Sequence, residues 1–396
     1  MTDTTSNPAD FAFRLADAVE RHHSLEGGPF SDILLSHLTQ VEPAVVSGWL
    51  NLATGDWPLS GFQEWFTSRL DEVGFIGNHD TPSSVSRLVA SLFVVGSWSR
   101  IFDPACGTGG LLQAAAETYG EEVSLYGQEI SSEALAWANL RFLVCDLRNV
   151  RLTAGPAFAD QHFGWQDYDR KFDIVLNNPP FGMPLDPHSV SLLARRSGNL
   201  IGNPVNRLPS ETAFVQEAFS SIASSGAAAV IVPNGLLFRG GVDRRLREGL
   251  VGEDAVRAVI GLPARMFAPG TTIETAILVL SRNKSQHERE HVLFIDARGL
   301  GKREGPRVVL GDEAAQKIQR AINEWRTEGG FSQVVPLEKL DRDAFSLSPA
   351  YYVKAMSPIE AISPLDRRSR IRELDERYVA LQQEYEVLQA QLARPE

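Results

Sequence analysis

The sequence predicts an α/β protein built around a mostly parallel, doubly wound sheet. From Arg100 onward, short apolar strands alternate with helices, which is the pattern typical of such a sheet. A glycine-rich turn, residues 103–110, stands between the first of these strands and the helix after it. Hydrophobic residues make up 43% of the 396 residues, which is enough for a large buried core.

Three parts are expected along the chain. They are a small N-terminal helical domain over residues 1–76, an α/β domain over residues 77–355, and a charged C-terminal helical, coiled-coil-like segment over residues 356–396. In the first part, apolar residues recur at helical spacing and are interrupted by breaks that contain glycine and proline. Its predicted helices are residues 11–19, 33–38 and 62–73.

The α/β domain is expected to open with a helix that begins at Thr81-Pro82-Ser83, with Thr81 as the N-cap and Pro82 in the first turn. The predicted elements after it are strand 100–103, helix 111–119, strand 123–127, helix 132–144 and strand 172–176. Residues 182–209 are rich in proline and glycine and are interpreted as a long binding loop. Beyond this loop we expect helix 211–223, strand 227–232, helix 243–250, strand 255–262 and a hairpin-like pair, 275–280 and 292–296.

The composition narrows the possible functions. With 38 basic against 50 acidic residues, the formal net charge is −12, so the chain is not expected to hold nucleic acid by bulk charge alone. Two cysteines, Cys106 and Cys145, argue against a disulfide framework and favour a reducing compartment, the cytoplasm. No membrane association is expected, because the apolar runs fall short of the roughly 20 residues of a span and the N-terminus lacks signal-peptide features.

The turn Asp103-Pro104-Ala105-Cys106-Gly107-Thr108-Gly109-Gly110 predicts a nucleoside cofactor site. Its glycines let the backbone approach a ligand, and Glu129, after the next strand, can accept hydrogen bonds from a ribose diol. This pattern fits either a dinucleotide or S-adenosylmethionine. The spacing differs from the pyrophosphate motif G-x-G-x-x-G, and Asp103 would repel a diphosphate but suit the cationic amino group of S-adenosylmethionine. An ordinary βα turn is the alternative, and Cys106 is interpreted as filling the turn rather than as a nucleophile.

The turn Asn178-Pro179-Pro180-Phe181 predicts methyl transfer to an amino group conjugated with an aromatic ring. Such a nitrogen is a poor nucleophile because its lone pair is delocalised into the ring. The Asn178 side-chain carbonyl and a proline backbone carbonyl can accept its two N–H bonds and offset the positive charge that grows during transfer. Asn178 is expected to contact only this amine, and Phe181 to stack on a base extruded from its duplex. The alternative is a strand end closed by a stiff turn, with Phe181 in the core.

In combination, these motifs resemble the modification (methylase) subunits of type I restriction–modification systems, which are adenine-N6 DNA methyltransferases. The resemblance covers about residues 77–353 and includes Thr81-Pro82, Gly127-Gln128-Glu129 and the Asn-Pro-Pro-Phe turn. Further matching segments are residues 231–238, 260–263, 275–280, 293–297 and 346–353. The resemblance implies the doubly wound S-adenosylmethionine-dependent methyltransferase fold, with residues 77–355 as the catalytic domain.

The resemblance also implies the site residues and the cofactor, S-adenosyl-L-methionine. The implied cofactor-binding residues are Thr81, Asp103, Pro104, Gly107, Thr108, Gly109, Gly110, Glu129 and Asp160. The implied catalytic residues are Asn178, Pro179, Pro180 and Phe181. Where the family commonly has Gly-Asp at the end of its third strand, with the acid on the cofactor adenine, this chain has Gly155-Pro156. The contact with the cofactor adenine is therefore either missing or supplied by nearby Asp160, and the N-terminal domain is shorter than is usual in the family.

Other motifs exclude some chemistries and suggest DNA contacts. No metal site is expected, because the histidines lack ligand spacing with acids or cysteines. The sequence contains neither a G-x-x-x-x-G-K phosphate loop nor a G-x-S-x-G elbow, which sets aside nucleotide hydrolysis and serine-hydrolase chemistry.

Two arginine clusters are candidate DNA contacts, with plain solvated charge as the alternative. The first comprises Arg195, Arg196 and Arg207, and the second Arg239, Arg244, Arg245 and Arg247.

The C-terminal segment predicts a partner-docking helix. Apolar residues at alternating steps of three and four form a heptad seam over residues 371–392, with charged residues beside it. The seam residues are Ile371, Leu374, Tyr378, Leu381, Tyr385, Leu388 and Leu392. About three heptads are short for an independent coiled coil, so the seam needs a partner surface, either another chain or its own domain. In the resembled family, this region docks onto the specificity (DNA-recognition) subunit.

The leading interpretation is site-specific methylation of adenine N6 in DNA, as the modification subunit of a type I-like complex. Its expected partners are DNA, a separate specificity subunit and, as an option, a restriction subunit. One alternative keeps the chemistry and changes the substrate to ribosomal-RNA guanine or protein glutamine. Another is a methylase-like scaffold whose cofactor site has decayed, which the missing acid at Pro156 would favour.

Overall fold

A computed structural model describes residues 81–354, apart from 94–97, 121, several positions between 132 and 148, 159–170, 195–207 and 268–271. The described residues belong to one compact unit, Met1–Lys354. The predictions for residues 1–76 and 356–396, for Asp160 and for the arginine cluster 195–207 lie outside the described residues. Among the described helices, none has both the length and the apolar character that crossing a membrane requires.

Helices and strands alternate over residues 83–129 and 172–261, as the sequence predicts, whereas the strands between residues 256 and 309 follow one another with no described helix between them. The helices are α1 Ser83–Ala90, α2 Gly110–Tyr119, α3 Pro187–Ala194, α4 Ser210–Ser221, α5 Val242–Gly252, α6 Asp312–Glu324, α7 Leu337–Arg342 and α8 Pro349–Tyr352. The strands are β1 Arg100–Asp103, β2 Ser124–Glu129, β3 Val150–Ala154, β4 Phe172–Asn177, β5 Ile222–Pro233, β6 Val256–Gly261, β7 Thr275–Ser281, β8 His291–Asp296, β9 Lys302–Glu304, β10 Arg307–Val309 and β11 Ser332–Pro336.

The central sheet has nine strands in the order β11-β8-β6-β7-β5-β4-β1-β2-β3. The pairs β1–β2, β2–β3, β1–β4, β4–β5 and β6–β8 are parallel, which confirms the predicted doubly wound, mostly parallel sheet. From β1, the chain adds β2 and β3 on one side and later adds β4 and β5 on the other. The strand order therefore reverses between β1 and β4, and a ligand crevice is expected at the carboxyl ends of these strands.

The predicted hairpin of residues 275–280 with 292–296 is wrong. β7 lies between β5 and β6 and is antiparallel to both, whereas β8 pairs in parallel with β6. All residues of β7 are buried, as an interior strand with neighbours on both edges requires. The hairpin was predicted because the two strands are close along the chain. In the structure, β6 lies between them and pairs with both.

Apolar side chains alternate between the two faces of the sheet and form two cores. On one face, residues such as Ile174 and Leu176 of β4 pack against α1, α2 and α6. On the other face, Val175 packs with residues of α3, α4, α5 and α8. Because strand side chains alternate with period two, the strands contribute to both layers and the sheet is covered on both sides. The helices thereby leave the carboxyl edge of β1, β2 and β4 as the place where polar side chains gather.

Candidate active site

The predicted site residues follow three neighbouring strands at one edge of the sheet. β1 pairs in parallel with β2 on one side and with β4 on the other. Asp103 is the last residue of β1, Glu129 the last of β2 and Asn177 the last of β4. The carboxyl ends of parallel strands meet at the same edge, so Asp103, Glu129 and the turn after Asn177 converge at the point where the strand order reverses.

The glycine turn is hydrogen-bonded to the end of β2. The amide of Gly107 donates to Oε2 of Glu129 at 2.9 Å, and the amide of Cys106 donates to the Gln128 carbonyl at 2.9 Å. The other carboxylate oxygen of Glu129 accepts from the amide of Ser131 at 2.8 Å. Glu129 is therefore oriented by backbone donors on both sides, and the predicted pair of Gly107 and Glu129 is brought into direct contact.

Two glycines around this turn are required by packing. Gly109 has a φ of 85° and caps the N-terminus of α2, and a Cβ there would lie 2.5 Å from Cζ of Phe142. A Cβ on Gly127 would lie 2.6 Å from Cδ2 of Leu152 and 2.9 Å from Sγ of Cys106. Any side chain at these positions would displace a neighbour, so the glycines allow the turn to pack closely against the strands.

Asp103 is buried, with 1% of its surface exposed, and its Oδ1 accepts from Nδ2 of Asn177 at 2.9 Å and from the amide of Ala105 at 3.1 Å. Removal from water raises the pKa of this carboxyl to about 7, and the nearby charge of Glu129 also raises it, while the two hydrogen bonds act in the opposite direction. A cation placed beside Asp103 would favour its charged form. Oδ1 of Asn177 is buried and has no hydrogen-bond partner among the described residues, so an acceptor also lies in this region.

The turn after β4 contacts the segment before α1. Nδ2 of Asn178 donates to Oγ1 of Thr81 at 2.9 Å, while no described residue donates to Oδ1 of Asn178. The prediction that Thr81 is the N-cap of α1 is wrong, because Pro82 occupies that position and no side chain caps the helix. The expectation that Asn178 would contact only its target amine is also wrong. Thr81 instead holds one end of the Asn178 amide and leaves the carbonyl end available.

The two prolines of this turn have different surroundings. The carbonyl of Pro180 accepts from Oγ of Ser210 at 2.6 Å, whereas no described residue donates to the carbonyl of Pro179. Phe181 is partly buried and packs against the core on the α1 side of the sheet. Among the described residues, therefore, neither the side-chain carbonyl of Asn178 nor the backbone carbonyl of Pro179 accepts a hydrogen bond.

The remaining predicted cofactor residues complete the turn. Pro104 and Thr108 are buried, and Oγ1 of Thr108 accepts from a guanidinium nitrogen of Arg141 at 3.2 Å. A Cβ on Gly110 would lie 3.8 Å from the Thr81 carbonyl, which places the start of α2 beside the segment before α1. Burial raises the pKa of the Cys106 thiol well above its ordinary value, and the charges of Asp103 and Glu129 add to the effect, which agrees with its interpretation as a packing residue.

The segment after β3 lies beside Glu129. The amide of Gly155 donates to the Glu129 carbonyl at 2.9 Å, and the carbonyl of Pro156 accepts from Nε2 of Gln128. Ile130, which follows Glu129, is a large apolar side chain with 74% of its surface exposed. The sequence analysis missed Ile130, whose available signal was a large apolar residue directly after Glu129, the predicted ribose-binding acid.

The second arginine cluster consists of Arg239, which precedes α5, and Arg244, Arg245 and Arg247 on α5, and three of its members contact other parts of the protein. Arg247 is buried and donates from Nε to the Phe345 carbonyl at 2.8 Å and from Nη1 to the Leu236 carbonyl at 2.6 Å. Arg239 pairs with Glu211 and Asp243, and Arg244 pairs with Glu248 one helical turn away. The prediction that these arginines form a DNA-contacting group is therefore wrong for Arg247, whose guanidinium faces the interior. Arginines spaced along a helix face different directions, which charge counting along the sequence does not reveal.

The sequence analysis also missed Ser210 and Glu211, whose side chains bind the backbone at the end of the Asn-Pro-Pro-Phe turn. Ser210 and Glu211 open α4, and the amide of Gly182 donates to Oε2 of Glu211 at 2.8 Å. The one available signal was an acid in the first turn of a helix that directly follows a long loop. Asn177 was missed for a similar reason, because nothing in the doublet Asn177-Asn178 marks one member as a partner of Asp103.

Comparison with known proteins agrees with this arrangement. The family model described as N-6 DNA Methylase matches residues 60–360. The type I restriction enzyme MjaVII methylase subunit of Methanocaldococcus jannaschii is 28% identical over 313 residues, covering 75% of this chain and 52% of the relative. The type I restriction enzyme MpnII methylase subunit of Mycoplasma pneumoniae is 26% identical over 306 residues, covering 72% and 54%. The chain thus spans about half the length of these relatives.

A solved structure gives the same result for the fold. The type I restriction–modification system methyltransferase subunit from Streptococcus thermophilus superposes with a TM-score of 0.72 at 20% sequence identity, covering 87% of this chain and 79% of the other. This similarity confirms the predicted methyltransferase fold for the central domain. The family model spans more than half of the chain and includes both the glycine turn and the Asn-Pro-Pro-Phe turn. The chain therefore belongs to the N-6 DNA methylase family.

Proposed function

We propose that this chain transfers a methyl group from S-adenosylmethionine to the N6 amino group of adenine in DNA. The observation that carries the proposal is the hydrogen bond from Nδ2 of Asn178 to Oγ1 of Thr81 at 2.9 Å. This bond orients the amide so that its carbonyl oxygen is presented as an acceptor. The acceptor stands at the carboxyl end of β4, next to the end of β1 that carries Asp103.

The residues at this edge fit the proposed cofactor. Asp103 is a buried carboxylic acid that would ionise beside a cationic amino group, and Oδ1 of Asn177 is a buried acceptor with no partner in the described part of the chain. Glu129 ends β2 in the position expected for a ribose-binding acid, and the close packing at Gly109 and Gly127 lets the backbone form the cradle. Bound S-adenosylmethionine supplies an electrophilic methyl group on a sulfonium centre. We retain Asp160 as the proposed contact for the cofactor adenine.

Asn178 and Pro179 are proposed to bind the target amine. Oδ1 of Asn178 and the carbonyl of Pro179 would each accept one N–H bond of the amine. This draws the nitrogen towards tetrahedral geometry and offsets the positive charge that develops on it. Because the acceptors are held in advance by Thr81 and by the rigid proline turn, they need little reorganisation during the reaction. No strong base is required before the transfer.

Phe181 is proposed to stack on the target base. Its ring is only partly buried, so one part packs on the core while another part remains accessible beside the turn. An adenine inside a duplex cannot reach acceptors at the end of a strand, so the base must be extruded into the site. Stacking on an aromatic ring would offset part of the cost of unstacking, which is a few kcal/mol.

The chain is proposed to act in a complex. Its formal net charge is −12, so sequence-specific binding to a duplex needs basic surface from another chain. The relatives named above are methylase subunits of type I restriction enzymes, which favours a specificity subunit and, optionally, a restriction subunit as partners. Residues 1–76 are proposed as a helical domain, and the seam at residues 371–392 as the docking helix for the specificity subunit.

Transfer of label from S-adenosylmethionine with a tritiated methyl group tests the proposal. The chain, with its specificity subunit, is incubated separately with DNA, RNA and protein from the host, and the DNA is digested to nucleosides. We expect label in N6-methyladenine. Label in RNA guanine or in protein glutamine would contradict the proposed substrate. Absence of cofactor binding in calorimetry at millimolar S-adenosylmethionine would contradict the enzymatic proposal and favour the scaffold.

Substitution of Asn178 by Ala provides the residue-level test. The variant should lose methyl transfer, because one of the two acceptors for the amine is gone, and it should still bind the cofactor. Asn234→Ala is the matched control, since Asn234 follows the neighbouring strand β5 and its side chain contacts Glu274. Full activity in Asn178→Ala, or equal loss in both variants, would contradict the assigned role.

A further inference from the structure

We propose that Arg239 is a positioning residue for the catalytic turn and acts on it through the carboxylate of Glu211. The inference rests on the proposed function, because it concerns the same turn, Asn178-Pro179-Pro180-Phe181. It adds a mechanism by which Glu211 and Arg239, which are distant along the chain, set the geometry of the acceptors.

The exit of the catalytic turn is bound to the first residues of α4. Ser210 donates from Oγ to the Pro180 carbonyl at 2.6 Å, and its amide donates to the Met183 carbonyl at 2.8 Å. Glu211 accepts at Oε2 from the amide of Gly182 at 2.8 Å. Gly182 has a φ of 71°, a left-handed conformation that presents its amide to this carboxylate. The start of α4 therefore binds the backbone at Pro180, within the turn, and at Gly182 and Met183, directly after it.

Glu211 itself is held by Arg239. Nη2 of Arg239 donates to Oε1 of Glu211 at 2.9 Å, and Nε donates to Oδ2 of Asp243 at 2.8 Å. The second oxygen of Asp243 accepts from Oγ1 of Thr212 at 2.5 Å, which returns the network to α4. One guanidinium thus bridges two carboxylates in the fork geometry that arginine provides.

Burial makes this bridge necessary. The side chains of Glu211 and Asp243 are 2% and 5% exposed, whereas that of Arg239 is 47% exposed. Two buried carboxylates so close together are unfavourable without a shared cation. If the guanidinium were removed, Glu211 would lose its charged partner, and its carboxylate would no longer be held against the Gly182 amide.

Arg239 also connects two neighbouring loops at the site edge. It follows the short helix Asn234–Leu237 at the end of β5, and a Cβ on Gly235 would lie 3.2 Å from its Nε. β5 is the parallel neighbour of β4, which carries the catalytic turn. The Arg239–Glu211 pair therefore joins the loop after β5 to the loop after β4 and aligns them at the edge where the target base is proposed to enter.

The rate of methyl transfer depends on how precisely the reacting groups are placed. A shift of about 1 Å in reacting groups can reduce the rate about a hundredfold. Loss of the bridge would allow the turn to move at Pro180 and Gly182, and with it the carbonyl of Pro179. Asp103 and Glu129 lie on β1 and β2 and have no direct bond to the Arg239 network, so cofactor affinity should not change.

The test compares Arg239→Gln with Arg239→Lys and with Arg326→Gln. Arg326 follows α6 and pairs with Glu324 at 2.9 Å, so its replacement removes an ion pair that is not connected to the turn. Measured with the full chain and its specificity subunit, kcat of Arg239→Gln should fall about 10- to 100-fold, with the Kd for S-adenosylmethionine within twofold of wild type. Arg239→Lys should recover part of kcat, because it keeps the charge but not both bonds. Arg326→Gln should match wild type.

Hydrogen exchange of the full chain provides a readout that does not depend on activity. Peptides that cover residues 178–185 should exchange faster in Arg239→Gln than in wild type and Arg326→Gln, while the peptide over β1 should not change. Unchanged exchange at residues 178–185, or equal loss of kcat in the Arg239 and Arg326 variants, would overturn the inference. If the wild type transferred no methyl group to any substrate, the proposed function would fail, whereas the exchange experiment would still decide the link between Arg239 and the turn.

Discussion

Asn177 at the end of β4 donates from Nδ2 to Oδ1 of Asp103 at the end of β1, at 2.9 Å, and both side chains are buried. The bond connects the strand that leads into the Asn178-Pro179-Pro180-Phe181 turn with the strand that leads into the glycine turn. The two strands are parallel neighbours, so the bond fixes the two turns relative to each other at one edge of the sheet. Asp103, a proposed cofactor-binding residue, is therefore also bonded to β4.

The first prediction concerns the pH dependence of cofactor binding. The pKa of Asp103 is raised to about 7, mainly because the carboxyl is removed from water. Below this pH the group is neutral, and a cationic amino group must displace its proton in order to bind beside it. The affinity for S-adenosylmethionine should therefore rise about tenfold per pH unit up to about 7 and level off above it. Calorimetry between pH 5.5 and 8 measures this slope.

Asp103→Asn is the control, and it should bind the cofactor more weakly and without this slope. The raised pKa of Asp103 also predicts how the stability of the cofactor-free protein depends on pH. The native state holds the proton more tightly than the unfolded chain, so the contribution of Asp103 to stability is present at low pH and is lost as the pH rises from about 4 to about 7. Urea denaturation should show this loss in wild type and not in the variant. A flat affinity profile in wild type would rule out ionisation of Asp103 on binding.

The second prediction concerns Thr81 as the residue that orients Asn178. Thr81→Val keeps the shape of the side chain but removes the acceptor for Nδ2 of Asn178. We expect kcat to fall about 10- to 100-fold because the amide is free to rotate. Thr81→Ser should retain most of the activity, since it keeps the hydroxyl. Steady-state methyl-transfer assays measure the effect, and a Thr81→Val variant as active as Thr81→Ser would contradict the role.

The third prediction concerns packing under the cofactor turn. In Gly127→Ala, the new methyl group would meet Cδ2 of Leu152 at 2.6 Å and Sγ of Cys106 at 2.9 Å. The strand must shift, and we expect a loss of about 1–3 kcal/mol in the free energy of unfolding, together with weaker cofactor binding. Gly252→Ala at the end of α5 is the control, because a Cβ there meets nothing within 4 Å. Thermal unfolding of both variants measures the difference, and equal stability would argue against close packing at Gly127.

The fourth prediction concerns the heptad seam of the C-terminal segment. Leu381→Glu places a charge in the seam and should abolish co-purification with a co-expressed specificity subunit. Gln383→Glu adds the same charge outside the seam and should leave co-purification intact. Calorimetric binding of S-adenosylmethionine should be the same in both variants. Retention of the complex by Leu381→Glu would place the docking surface elsewhere.

The chemistry-bearing turns and most strands could be predicted from the sequence. Strands 100–103 and 172–176, and the turns after them, depend on local patterns of apolar residues, glycine and proline, and the structure places them within one residue of the expected bounds. The position of β7 between β5 and β6 could not be predicted. Strand order depends on which buried faces match across the sheet, and the local pattern of a fully apolar strand contains no information about its neighbours.

The sequence by itself indicated the proposed chemistry, through the residue types and spacing of Asp103, Glu129 and the Asn178-Pro179-Pro180-Phe181 turn. Only the tertiary structure decided which side chains hold these groups in place. The bond of Thr81 to Asn178 spans 97 positions, and the Arg239–Glu211 pair spans 28. Such contacts depend on how strands and helices from distant parts of the chain meet at one edge of the sheet, and that meeting depends on burial across the whole domain rather than on any local pattern.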